Sequence, residues 1–434
     1  MSEMSRRKLL GTTAAGVFGA ALVGQTAKSA ASSRYPIPNL ISRQNAPVEV
    51  SFYHLWGTPP GGQPATNKHP ADQVIDAFNA MNTGVTVKAQ TPGGYPEIAQ
   101  KVQAELAAGN PPALAMIPWA SINYAAEGLG VIPLEDVGGD EVAATLGVIR
   151  PDTLALAQLN GQTMGLPYAL SCPVIYYNAD ILRLAGVDPA IMLGSWGGFA
   201  QEAPKVQAAL NGNPVISISF NKDWPAQGII QSNGGFVLDE SGQPAMNSPE
   251  AIEAMDAIAA LDRAGLYDRG TAQELRPSFI GGSTAVTVGS IAGLGGNRTD
   301  AAFDLQVAAF PTFGDKPRKM STGGSFIGCF AKETEQRQAA WQFLKYVLSE
   351  PAWQIWMKTG YLNASTYDIP VLPGQEPAYA QLQEGLTRET PWPGARGAEI
   401  QTTWAGYVER IWANDISAEE GCNEAASELE SLIG

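Results

Sequence analysis

An α/β fold is what this sequence predicts, on three observations. Strand-like and helix-like hydrophobic patterns alternate from residue 48 to residue 119. The chain of 434 residues is long enough for two or three domains and a large core. The C-terminal third reads as helices with few strands.

The elements follow in order. "VEVSFYHLW" (48–56) is a β-rich run and a first strand, followed by a Gly/Pro loop. Val74, Ile75, Phe78 and Met81 then mark a helix, and "GVTVKAQ" (84–90) is a short alternating strand. In "GGYPEIAQKVQAELAAGNPP" (93–112), Ile98, Val102 and Leu106 recur every four residues and form one apolar stripe. Pro96 suits the first turn, Gly109 a left-handed end, and Pro111-Pro112 forbids continuation. "ALAMIPW" (113–119) suits a buried parallel strand. Farther on, "LPYALSCPVIYYNADIL" reads as a strand leading straight into a helix at Ala179. "GSWGGFAQEAPKVQAAL" carries a helix and "PVISISF" a strand. "NSPEAIEAMDAIAALDRAG" is a helix capped by Asn247 or Ser248, with Pro249 and Glu250 in its first turn. "STAVTVGSIAG" (283–293) is a strand ending in small residues, and "EQRQAAWQFLKYVLSEPAWQIWMKTG" turns helical.

Composition narrows the function classes. Hydrophobic residues make up 45% and charged residues 16%, which are globular values. The net charge of −15 repels phosphate backbones and anionic lipid surfaces, which argues against nucleic-acid binding. One pocket can still hold a field of the opposite sign. Residues 1–31 read as an export signal: a basic start, a weakly apolar Gly/Ala run from Leu9 to Gly24, and small-residue cleavage sites at Ala27–Ser29 or Ser29–Ala31. Arg6-Arg7 within "SRRKLL" resembles the twin-arginine type; a Sec signal with two arginines is the alternative. Residues 32–46 read as a linker. No other stretch has the ~18 apolar residues a membrane-spanning helix needs, so an exported, soluble, periplasmic protein without a lipid anchor is expected. Cys172, Cys329 and Cys422 are odd in number and sit without a disulfide or zinc pattern.

The usual catalytic signatures are missing. Two histidines, His54 and His69, cannot make a His-rich metal site, and neither a phosphate-binding P-loop nor a G-x-S-x-G turn occurs. No cofactor is expected. Forty-two acidic residues always offer some carboxylate pair, but nothing singles one out for glycoside hydrolysis. Aromatic residues beside loops stand out instead. Sugars present apolar C–H faces and polar rims, so their sites combine flat aromatic platforms with polar side chains. Trp56, Trp119, Trp224 and Trp392 lie next to Gly or Pro at element ends, where binding loops occur. Trp341, Trp353 and Trp356 fall at helical spacing and read as packing.

The order of these segments resembles a family. Gly94-Tyr95, an amphipathic helix, then "AGNPP" and an apolar strand are joined by "GLPYALSCPVIYYNADILRLAGVDP", "NGGFVLDESGQPAMNSPEAIEAM" and "STGGSFIGCFAKETEQRQAAWQFLKYVLSEPAWQIWMKTGYLNAS". Together they resemble the family 1 extracellular solute-binding proteins, the receptors of bacterial ABC importers that include maltose-binding and glycerol-3-phosphate-binding proteins. The resemblance covers about residues 48 to 415. It implies a two-lobed α/β periplasmic-binding-protein fold of type II, with a ligand cleft between lobes and hinge closure. It divides the chain into one lobe of residues 47–168 plus 286–325 and a second of 169–285 plus 326–434. It also implies a non-enzymatic receptor, a monomer, whose partners are a membrane permease and its ATPase subunits. An exported carbohydrate-active enzyme and a receptor feeding a chemosensor are the alternatives.

Site residues follow from the same resemblance. The loop before the helix at Tyr95 would face the cleft and bring helical N–H groups toward ligand. Tyr53 in "FYHLW" would contact ligand, as would Tyr95 followed by the acidic Glu97. Ser171 matches a Ser before the crossover Pro, Ser290 falls in the turn "VGSIAG", and Gly324 lies in the return crossover. Tyr361 matches the Tyr of a "TGYLP" motif, written here with Asn363 in place of Pro. Arg396, in "PGARGAEI", lies near a phosphate-binding Arg of the glycerol-phosphate subgroup, but its surroundings match that subgroup poorly. The Ser-Thr pair usual before the crossover is Ser171-Cys172 here. A neutral mono- or oligosaccharide is therefore the expected ligand, with a glycerol phosphate or glycerophosphodiester second. The tryptophans Trp56, Trp119 and Trp224 complete the expected site.

Overall fold

A computed structural model of the chain describes residues 47–56, 68–218, 222–385 and 387–434. The expected export signal and linker lie outside the described residues. Within 47–434 the chain builds two five-stranded sheets. The first has the order Val85–Gln90, Val48–Tyr53, Leu114–Pro118, Gly323–Cys329, Leu166–Ser171. Its first three strands are parallel, and Gly323–Cys329 runs antiparallel to both neighbours. The second has the order Leu305–Ala308, Pro173–Asn178, Val286–Ser290, Ile216–Ile218, Tyr267–Asp268. No helix among the described residues is long and apolar enough to cross a membrane.

The first half follows its hydrophobic periods. Helix Pro70–Ala80 buries Val74, Ile75 and Phe78, and His69 caps it through its ring nitrogen. Helix Tyr95–Ala107 buries Ile98 and Val102, while Leu106 at its end is only partly covered. Gly109 adopts φ +81 and the Asn110 N–H returns to the Glu105 carbonyl at 2.9 Å, closing the helix end. Helix Pro249–Arg263 is capped by Ser248, whose hydroxyl accepts the Ala251 N–H.

Two features differ from the sequence reading. "LPYALSCPVIYYN" is two strands, Leu166–Ser171 and Pro173–Asn178, each in a different sheet, with the fully buried Cys172 between them. Both strands are buried on both faces, so their apolar run carries no periodic mark of the break. The expected division of the chain also does not match the strand pairing. Val286–Ser290 and Leu305–Ala308, expected in the first lobe, flank Pro173–Asn178 in the second sheet. Gly323–Cys329 lies wholly in the first sheet, and helix Thr334–Val347, expected in the second lobe, packs on Val48–Tyr53. A strand's sequence encodes which faces are buried, not which edge it joins. The chain returns to the second sheet with helix Glu376–Glu384, and helices Gly397–Trp412 and Ala418–Ile433 pack with Pro249–Arg263. All three cysteines are free and buried.

Candidate functional site

A cleft of about 530 Å³ opens where the strands of both sheets end, a size suited to a small ligand. From the first sheet's side come Leu55, Pro118 and the start of helix Tyr95–Ala107, followed by Ser121 and Tyr124. Gly94 caps that helix without a side-chain hydrogen bond, so its first N–H groups remain available toward the cavity. Ser171 and Ser290 enter from the strand ends that meet at the crossover, and Gly323-Gly324 from the return crossover. Trp224, Gln401 and Thr402 stand opposite, on helices Asp223–Ser232 and Gly397–Trp412, and Tyr361 and Glu389 complete the lining.

The aromatic residues are held from behind. The Tyr361 ring stacks on Trp356 at 5.0 Å, and Trp356 stacks on Tyr168 at 4.1 Å. Trp56 meets Trp356 edge-on at 4.5 Å. The turn that aims Tyr361 passes through Gly360 at φ +105, and the buried Gln375 amide donates to the Gly360 and Tyr361 carbonyls at 2.7 and 3.0 Å. Trp224 lies over Gly323 so closely that a Cβ there would sit 2.0 Å from its ring. Gly324, at φ +116, lets its strand approach Ala169, whose carbonyl oxygen would lie 1.8 Å from an added Cβ.

Of the eleven residues singled out from the sequence, six line the cleft: Tyr95, Ser171, Trp224, Ser290, Gly324 and Tyr361. Five do not. The Tyr53 hydroxyl instead donates to Glu105 at 2.7 Å, because its side chain points to the helix covering its strand. Trp56 is buried and reaches the cleft only through Trp356 and Tyr361. Trp119 is fully buried beneath Gly324. Glu97 is exposed and folds back over Gly93-Gly94. Arg396 caps helix Gly397–Trp412 from outside and pairs with Glu399 at 2.9 Å, while Ala398, Gln401 and Thr402 take the cleft-facing side. Trp392 is also fully buried. The sequence reading missed Tyr124, Glu389 and Gln401. Only Glu389 had a nearby signal, the Pro-flanked Trp392 three residues on.

The electrostatics of the cleft are one-sided. Among the described residues its lining includes no Lys, Arg or His, and Glu389 is the one carboxyl group. Glu389 is buried and accepts the Ala120 backbone N–H. Behind it, Asp223 accepts from the Gln227 and Gln401 amides at 2.9 and 3.0 Å, and the indoles of Trp404 and Trp392 face it. Burial pushes Asp223 up to about 6, against its hydrogen bonds. Burial, reinforced by Asp223, holds Glu389 well above the usual carboxylate range. Folded protein therefore retains protons that unfolded chain releases. The stability this contributes is present in acid and is lost as pH rises, for Asp223 between about pH 4 and about pH 6 and for Glu389 higher. Glu389→Gln removes one titration and relieves the other. Its melting temperature relative to the parent should climb as pH rises from the ordinary carboxylate range through neutrality. A flat difference would show that Glu389 does not titrate in that range.

Comparison with known proteins decides the family. The family model described as bacterial extracellular solute-binding protein matches residues 73–371, more than half of the chain. The chain belongs to this family. Among curated relatives, the sn-glycerol-3-phosphate-binding periplasmic protein UgpB of Yersinia pseudotuberculosis is 23% identical over 418 residues, covering 89% of this chain and 93% of that protein. UgpB of Escherichia coli K12 is 23% identical over 420 residues, covering 88% and 93%. Among solved structures, UgpB from Mycobacterium tuberculosis in complex with glycerophosphocholine superposes with a TM-score of 0.75 at 23% identity, covering 88% of this chain and 98% of that one. Lmo0181 from Listeria monocytogenes, an ABC substrate-binding protein in complex with cycloalternan, gives 0.76 at 18% identity, covering 89% and 99%. This solute-binding protein thus has the two-lobed α/β fold of those neighbours.

Proposed function

We propose that this solute-binding protein is the exported, periplasmic receptor of an ABC importer and that it captures a carbohydrate, a mono- or oligosaccharide. The observation that carries the ligand class is the cleft lining. Tyr95, Tyr124, Trp224 and Tyr361 offer flat apolar faces to sugar C–H groups, and Ser121, Ser171, Ser290 and Gln401 offer hydroxyls and an amide to the sugar rim. Each sheet with its helices acts as one lobe, ligand bridges the two, and the closed form is handed to a permease with its ATPase subunits. The protein acts as a monomer and does no chemistry on its ligand. Asp223 is fully buried behind the lining residues Gln401 and Glu389, so it is placed to orient, not to react.

A glycerol phosphate or glycerophosphodiester is the second reading. It is favoured by the names of the relatives and by the uncapped helix start at Gly94. It is disfavoured by a lining that holds no cation among the described residues, because phosphate sites draw on Arg or Lys.

A thermal-shift screen of the purified protein tests the choice. Ligand at a hundred times its Kd adds about 2.7 kcal/mol of stability. The carbohydrate reading expects shifts with sugars and none with sn-glycerol 3-phosphate or glycerophosphocholine; the reverse pattern overturns it. Arg396→Ala should leave the affinity for whichever ligand binds unchanged, since its guanidinium is exposed and held by Glu399. A marked loss of affinity would place Arg396 in the site after all.

A further inference from the structure

We propose that Glu389 makes the cleft selective for a saccharide bearing a cationic nitrogen, an amino sugar over its hydroxyl counterpart. This deepens the carbohydrate reading and rests on it. The first ground is charge. Among the described residues of the cleft lining, Glu389 is the one side chain with an acidic or basic group that can carry a full charge near neutral pH, and it is only 6% exposed. One backbone N–H, from Ala120, is its hydrogen-bond donor, and the charged group that acts on it is another acid, Asp223. A buried carboxylate needs a cation or several donors to remain ionised. Among the described residues the lining holds no Lys, Arg or His, and the donor that acts on Glu389 is the single Ala120 N–H. A ligand nitrogen would supply the missing countercharge.

The second ground is the neighbouring surface. Glu389 shares the cleft with Tyr95, Tyr361 and Trp224, whose ring faces attract a cation once water is excluded. Glu389 and Tyr95 line the same cavity, and the carboxylate acts electrostatically on the phenol. The third ground is rigidity. The Thr390 N–H donates to the Gln227 amide oxygen at 2.8 Å, and Asn123 donates to the Pro391 and Trp392 carbonyls. The backbone that follows Glu389 is thus held by side chains of two separate helices, Ile122–Glu127 and Asp223–Ser232. An ammonium ligand would bind as the Glu389 proton leaves to solvent, one cation replacing another. A hydroxyl at the same place gains no such exchange. The groups facing Glu389 in this exchange are Asp223 with its partners Gln227 and Gln401, Tyr95, and the Ala120 N–H.

Matched ligand pairs test this on the whole protein by titration calorimetry at neutral pH. The pairs are glucosamine and glucose, galactosamine and galactose, the β-1,4 glucosamine dimer and cellobiose, and, outside the sugars, glycerophosphocholine and sn-glycerol 3-phosphate. Parent and Glu389→Gln are compared; glutamine keeps an oxygen for the Ala120 N–H. The expected result is an amine sugar bound at least about tenfold tighter than its hydroxyl partner, falling to about twofold or less in Glu389→Gln. A hydroxyl member bound as tightly or tighter by the parent overturns the proposal, and this needs no variant. So does a preference that survives Glu389→Gln. Sugars bound without preference leave the carbohydrate reading standing and sink the cationic one. Glycerophosphocholine preferred through Glu389, with no sugar bound, supports the acidic subsite and sinks the carbohydrate reading. Binding of none of these compounds counts against both.

Discussion

Gly324→Ala should cost this protein roughly 2–6 kcal/mol of stability, with loss of ligand binding alongside. Two penalties add. At φ +116 any residue with a Cβ is strained, by about 1–3 kcal/mol. The new methyl would also sit 1.8 Å from the Ala169 carbonyl oxygen and 2.7 Å from its carbon, so strand Leu166–Ser171 would have to move. Such overpacking typically costs about 1–3 kcal/mol more. The Gly323–Cys329 strand pairs with Leu166–Ser171 at this point and both continue into the cleft, so displacement there shifts Ser171 as well. Gly109→Ala is the control. Gly109 has φ +81, yet nothing lies within 4 Å of its added Cβ, so only about 1 kcal/mol should be lost. Thermal unfolding of both variants reads the difference. A drop of roughly 2 °C or more for Gly324→Ala and of about 1 °C for Gly109→Ala fits a chain of this size. Equal drops would mean that backbone strain alone sets the cost and that the close approach to Ala169 is relaxed.

Trp224→Ala should weaken ligand binding by about a hundredfold while leaving the fold intact, since a central tryptophan commonly carries 2 kcal/mol or more of binding energy. Trp224 is half-buried at the cleft edge of helix Asp223–Ser232, and its ring lies flat enough on Gly323 to leave no room for a Cβ there. Gly323→Ala tests the same platform without deleting it. The methyl would meet the ring at 2.0 Å and tilt it, so affinity should fall with Trp224 still present. Trp119→Ala is the contrast. That ring is fully buried, and its removal should lower stability by roughly 3–5 kcal/mol. If Trp224→Ala lowers the melting temperature as much as Trp119→Ala and leaves affinity unchanged, Trp224 is a core residue and the platform reading fails.

The contrast between these two tryptophans shows where sequence reasoning stops. Trp56, Trp119, Trp224 and Trp392 all stand beside Gly or Pro at element ends, yet only Trp224 lines the cleft. Proximity to a loop puts a side chain near the mouth of the fold. Which way it points depends on how the strand twists and what packs against it. Tyr53 makes the same point one strand away: it closes its strand at the right end but turns toward the covering helix and Glu105. Arg396 lies two residues from Ala398, which lines the cleft, but the helix begins at Gly397 and its turn carries the guanidinium outward to Glu399.

Glu389 had no periodic signal at all. It lies in an irregular stretch between helices Glu376–Glu384 and Gly397–Trp412, and its importance comes from Ala120 and Asp223, residues far away in the chain. By itself, the sequence determined the α/β class, the helices and strands between residues 48 and 118, and the glycine-bracketed start of helix Tyr95–Ala107, because local hydrophobic period and capping residues specify these within one segment. The tertiary structure alone decided which sheet each later strand joins, which aromatic faces meet in one cavity, and that a buried carboxyl stands there without a cation. Those are properties of edges and spaces between distant segments, and no short stretch of chain encodes its partner.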